Sequence, residues 1–167
     1  MKRLLPILLL LGILSCSKST SSEHLQIGEE IPDFLTYTID GRNISKSDLL
    51  GKPGVIIHFG TTCPDCHVQL PEIETVYRAF GEMANVLAIS RGENANTVRQ
   101  FWQENDYTIP AVATGDKNLY NLFDRDSKTG IPQVYITDSS GIVIAYTDWN
   151  KVLRADEILT TIQKLKN

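Results

Sequence analysis

Cysteine is scarce in this chain: there are three in 167 residues, too few for a small fold stapled by disulfides. Basic charge is not in excess either. Lysine and arginine number 16 against 20 acidic residues, a net of −4, which excludes the basic surface that nucleic acid or anionic headgroups select. There is no internal repeat and no glycine-rich phosphate loop. The longest apolar run, Leu4 to Leu14, is too short for a typical transmembrane helix. It follows Lys2 and Arg3, with no acid before Glu23, which is the pattern of a secretory signal. The remaining composition, 42% hydrophobic and 22% charged, is that of one ordinary globular domain.

The leader ends in Ile13-Leu14-Ser15-Cys16, which resembles the lipobox of bacterial lipoproteins. That resemblance implies removal of residues 1–15 and lipidation of Cys16; the alternative is an ordinary cleavage site with a bystander cysteine. Leu14 is a less usual residue at its place in the box. Removal would leave 14 basic against 20 acidic residues, a net of −6, so membrane attachment would come through lipid alone. Residues 16–26 include the serine-rich Ser17 to Glu23 and read as a flexible tether. Residues 27–167 suffice for one core and no second domain.

Two short extended runs between Phe34 and Ser45, around Asp40-Gly41, predict an N-terminal hairpin, followed by a helical turn at Ser47–Leu50. Val55–Phe59 is a continuous β-branched and aromatic run, which predicts a strand buried on both faces with His58 packed in the core. Leu70, Ile73, Val76, Tyr77 and Phe80 share one face of a helix after Cys66, and Pro71 interrupts that helix without ending it. Further elements are a strand at Asn85–Ser90, a helix at Asn94–Asn105 with Val98, Phe101 and Trp102 inward, and a strand at Ile109–Ala113. A short helix at Asp116–Phe123 follows, then strands at Gln133–Thr137 and Ile142–Thr147. The final helix, Ala155–Lys166, places Ile158, Leu159, Ile162 and Leu165 on one face. The class is α/β with a mixed sheet.

One cluster carries chemistry: Cys63-Pro64-Asp65-Cys66-His67, between the buried strand and the helix. A cysteine at a helix N-terminus meets unpaired N–H groups and the positive end of the dipole, which favour thiolate. Two intervening residues bring the second sulfur within bonding range, so the pair can cycle between dithiol and disulfide.

Strand, Cys-x-x-Cys, proline-containing helix and a downstream Ile131-Pro132 before a hairpin together resemble the thioredoxin fold. Ile27-Gly28, Ile31-Pro32-Asp33-Phe34, Asp40-Gly41 and Leu49–Lys52 resemble the N-terminal extension of the TlpA/ResA-like thiol-disulfide oxidoreductases, and Asn94–Ala113 their central αβ insertion. The resemblance implies a mixed central sheet flanked by helices, attack on client disulfides by Cys63, resolution by Cys66, and a cis Pro132 facing the pair. The Ile131 backbone would hydrogen-bond an extended client. The redox disulfide serves in place of any cofactor or metal. Departures are Thr62 where many relatives have tryptophan, Gln69 where several carry a carboxylate, and Ile57 where thioredoxins keep a buried aspartate. His67 and water remain as proton acceptors for the resolving thiol. Pro64 removes a donor and Asp65 adds negative charge beside Cys63, so a less stabilised thiolate and a reductant are expected.

Three rivals use the same residues. Cys63-x-x-Cys66-His67 also spells a c-type haem attachment motif, but only Met83, His24 and His58 are available as a distal ligand, and Ile131-Pro132 has no role. A peroxiredoxin would have threonine three residues before its cysteine and proline seven before; Gly60 and Ile56 stand there. A copper-binding module would use Cys63, Cys66 and His67. The expectation is a lipid-anchored thioredoxin-like reductase on the periplasmic face of a membrane in a diderm bacterium. Its partners would be disulfide-bearing clients, such as apocytochromes in cytochrome c maturation, and an upstream membrane or periplasmic electron donor.

Overall fold

A computed structural model of the chain describes residues 24–115, 118–125 and 129–165; the leader, Cys16 and most of the tether lie outside them. The hairpin forms as expected, with β1 (Leu35–Tyr37) antiparallel to β2 (Asn43–Ser45). Gly41 supplies the positive φ, 86°, that its turn requires. A 3-10 turn at Lys46–Leu49 leads into β3 (Gly54–Phe59), in which every residue is buried. Helix α1 (Pro64–Phe80) runs unbroken through Pro71. Then come β4 (Asn85–Ser90), α2 (Ala95–Glu104), β5 (Ala111–Val112), α3 (Asn118–Phe123), β6 (Gln133–Thr137), β7 (Val143–Thr147) and α4 (Ala155–Lys164).

The five-stranded sheet has the order β5-β4-β3-β6-β7. β3 is parallel to β4 and antiparallel to β6, so the sheet is mixed. Alternation along β3 sends Val55, Ile57 and Phe59 to one face and Ile56 and His58 to the other. The first set packs with Leu70, Ile73 and Val76 of α1, Val98, Phe101 and Trp102 of α2, and Ile158 and Ile162 of α4. Ile56 packs with Leu49, Leu119, Phe123 and Tyr135 on the second face. Each fully buried side chain of this size contributes about 1.5–3 kcal/mol.

The N-terminal segment binds both outer strands: the Ile39 N–H donates to the Ala111 carbonyl at 2.8 Å, while Val143 exchanges bonds of 2.8 Å with Gly28 and Glu29. Described residues ahead of the expected boundary at Ile27 also make contacts. Leu25 is buried and its N–H donates to Phe123, and His24 bridges Asp124; one apolar side chain within a polar stretch suffices to seat it.

Other boundaries differ for identifiable reasons. β5 is shorter than Ile109–Ala113 because the Ile109 N–H donates to the Glu74 carboxylate and Pro110 has no donor. Burial would raise the Glu74 carboxyl, but bonds from the Thr108 hydroxyl, Arg78 and the Thr108 and Ile109 backbone outweigh it and hold it below the usual range. Leu165 falls just past the end of α4 and is exposed.

Candidate active site

The buried end of β3 delivers the chain through Gly60-Thr61-Thr62 to Cys63, the N-cap of α1. Pro64 follows at the first helical position, where its fixed φ fits and its missing donor costs nothing. The Cys66 N–H donates to the Cys63 sulfur at 3.2 Å, so sulfur does the capping that oxygen usually does. Cys63 and Cys66 are disulfide-bonded with their Cα atoms 5.2 Å apart. Cys63 is half-buried, whereas Cys66 is fully buried in the core cluster that holds Ile57 and Leu70. Of the two sulfurs, the first is the accessible one. Asp65 is exposed on the first turn.

Across from the pair, the Ile131–Pro132 bond is cis and the Ile131 carbonyl oxygen lies 3.4 Å from the Cys63 sulfur. A side chain at Gly60 would put its Cβ 3.0 Å from the Ile131 Cδ1, so glycine permits the two loops to meet. The structure therefore brings together Cys63, Cys66, Ile131 and Pro132, which are far apart in sequence.

His67, read as a proton acceptor or an exposed polar residue, is exposed on the first turn of α1 and its ring is also held in place. Its Nε2 donates to the Thr61 carbonyl at 2.7 Å and its ring centroid is 5.1 Å from that of Phe101. The Thr61 N–H and hydroxyl in turn donate to one oxygen of Glu93, at 2.9 and 2.6 Å. The other Glu93 oxygen is buried with no partner among the described residues. Nothing in the sequence marks Glu93, which reaches the cysteine loop from the bend after β4, at the end of the sheet where β3 also finishes.

Gln69, noted for replacing a carboxylate, is fully buried and clamps the loop before α4. Its amide donates to the Leu153 carbonyl at 2.8 Å and accepts from the Leu153 N–H at 2.7 Å. Ile57, at the other departure, is plain core. His58 lies on the opposite face, ringed by Tyr120, Phe123 and Tyr135. Gln133 donates to Asp124 at 3.0 Å, which orients its oxygen to accept from Tyr135 and from the His58 Nδ1–H. The His58 Nε2 is thereby bare and has no partner among the described residues. Burial pushes its pKa down to about 3, so the ring is a neutral core group.

Among the described residues, no cluster of three or more metal-ligating side chains is assembled, and no helix is long and apolar enough to cross a membrane.

Known proteins resemble this chain. Over 124 residues the chain is 28% identical to the thiol-disulfide oxidoreductase ResA of Bacillus cereus, covering 73% of this chain and 69% of that one. It is 27% identical over 124 residues to the thioredoxin-like protein YneN of Bacillus subtilis, covering 71% and 69%. Among solved structures, a thiol:disulfide interchange protein of the thioredoxin family from Chlorobium tepidum superimposes with a TM-score of 0.72 at 21% identity, covering 84% of this chain and 97% of that one. The fold is thus thioredoxin-like. The AhpC/TSA family model matches residues 27–146, a span that takes in both cysteines and the cis-proline loop, and the chain belongs to the AhpC/TSA family.

Proposed function

We propose that this thiol-disulfide oxidoreductase reduces client disulfides outside the cytosol, with Cys63 as nucleophile and Cys66 as resolving thiol. The observation that carries the reading is the asymmetry of the pair, an accessible sulfur at the cap of α1 facing the Ile131 carbonyl and a fully buried one behind it. In the dithiol form the Cys63 thiolate attacks one client sulfur, forming a mixed disulfide and releasing the other sulfur as thiolate. The Cys66 thiolate then attacks the Cys63 sulfur and releases the second client thiolate. Two electrons and the two protons of the protein's thiols pass to the client. A dithiol donor must return the same number to the protein.

Three features support the direction and the place. Asp65 on the first turn leaves a Cys63 thiolate less stabilised than a neutral residue would, and a less stabilised thiolate belongs to a less oxidising disulfide. Leu4–Leu14 and Cys16 fit export and lipidation, which would hold the domain near a membrane by its N-terminus. The resemblance to ResA-like proteins suggests apocytochromes among the clients.

A Cys66→Ser variant tests the assignment. It should accumulate mixed disulfides through Cys63 that Cys63→Ser does not form, and a redox titration of the wild type should place the couple well below the potentials of dedicated disulfide-forming oxidases. Mixed disulfides trapped through Cys66 instead, or a potential as high as those oxidases have, would overturn it.

A further inference from the structure

We infer that Trp149 determines client specificity, its indole forming a wall beside the cis-proline loop that selects an extended peptide with an apolar or aromatic side chain near its disulfide cysteine. The inference rests on the reductase reading and names the class of client it takes.

Trp149 is 50% exposed although it is one of the largest apolar side chains in the chain. The other tryptophan, Trp102, is buried and donates its indole N–H to the Ile109 carbonyl. Two devices fix the loop that carries Trp149. The Lys151 N–H closes a turn onto the Asp148 carbonyl at 3.2 Å, with the Asn150 N–H on the Asp148 carboxylate at 3.0 Å. Beyond it, Leu153 is held on both its backbone groups by Gln69 of α1. The active-site helix thus positions the loop.

The ring lies against Gly130. A Cβ there would fall 2.5 Å from the indole nitrogen and 2.7 Å from Cγ, so only glycine admits the indole at that distance. Gly130 immediately precedes Ile131, whose carbonyl is 3.4 Å from the Cys63 sulfur. A client cysteine bonded to Cys63 would leave side chains one or two places along its chain, about 3–7 Å away, and the indole packed on Gly130 is the large apolar group next to the loop they would run along. An indole has two rotatable bonds and a large apolar face, so it gains contact area at small entropic cost.

The test uses the reduced full-length protein and two peptides whose single cysteine is disulfide-linked to a small thiol, differing only in phenylalanine or serine at the second residue from the cysteine, placed on either side in turn. On the favoured side the wild type should reduce the phenylalanine peptide about fivefold faster or more. Trp149→Ala should bring the ratio to within about twofold of unity, and Trp149→Phe should keep most of it. Gly130→Ala, which displaces the ring without deleting it, should lower the ratio as well. A wild type without preference, or a preference that survives both Trp149→Ala and Gly130→Ala, overturns the inference and leaves the reductase reading standing. Failure to reduce either peptide overturns both.

Discussion

His58 offers a measurement in which one buried ring adds a separable part to the acid sensitivity of the fold. In the folded chain its pKa is about 3, chiefly from burial, against 6.5 for an ordinary histidine. Nδ1 already donates to Gln133, and a proton on Nε2 would find no acceptor among the described residues. A depressed basic group means that the unfolded chain binds the proton first, so stability is complete above pH 6.5 and falls as pH drops below it. Between pH 7 and pH 5 the folded ring stays neutral while the unfolded one charges, which costs about 2 kcal/mol. Because both pH values lie above the folded-state value, that loss is set by the unfolded histidine alone. In urea unfolding of the oxidised protein it corresponds to a midpoint lowered by roughly 1 M. His58→Gln lowers stability at every pH by loss of ring packing but removes this component. The wild type should therefore lose about 2 kcal/mol more than the variant between pH 7 and pH 5; parallel losses would refute the account.

Two further predictions concern the supports of the site. Gln69→Glu keeps the acceptor for the Leu153 N–H but sets a carboxylate against the Leu153 carbonyl, which should cost about 2–3 kcal/mol at pH 7. The introduced carboxyl would have a raised folded-state pKa, so urea unfolding should show the penalty shrinking as pH falls through that value and a protonated oxygen becomes the missing donor. Glu93→Ala strips the Thr61 N–H and hydroxyl of their acceptor, at about 1–3 kcal/mol. Amide exchange at Thr61 should accelerate in that variant and remain slow in Glu93→Gln, which keeps an acceptor oxygen; equal rates in both would sink the assignment.

The sheet was legible in the sequence because its inner strands are unbroken apolar runs. Asn85–Ser90 and Gln133–Thr137 emerged with the expected bounds. Elements whose limits depend on tertiary bonds were less legible. β5 is cut short by the Glu74 carboxylate, and Leu25 joins the core from a stretch that reads as tether. Within the site, Cys63, Cys66, Ile131 and Pro132 could be named because their spacing and neighbours resemble a known pattern. Glu93, Gln69 and Trp149 could not be read in these roles. Their partners lie in loops distant in sequence, and a single polar or aromatic side chain, whether in a loop or on a helix as Gln69 is, carries no period that reports what it will touch.

The wrapping of the N-terminal segment has a consequence for the chain as a solute. An outer strand presents a row of unpaired N–H and C=O groups on which another chain can build. Here the hairpin occupies that row on β5 through Ile39, and Gly28 and Glu29 occupy it at the start of β7. One continuous stretch ahead of Cys63 thus covers part of the outer strand on each side of the sheet. A thiol-disulfide oxidoreductase must meet other chains at its cysteines, and covered edges keep such meetings from spreading into strand addition.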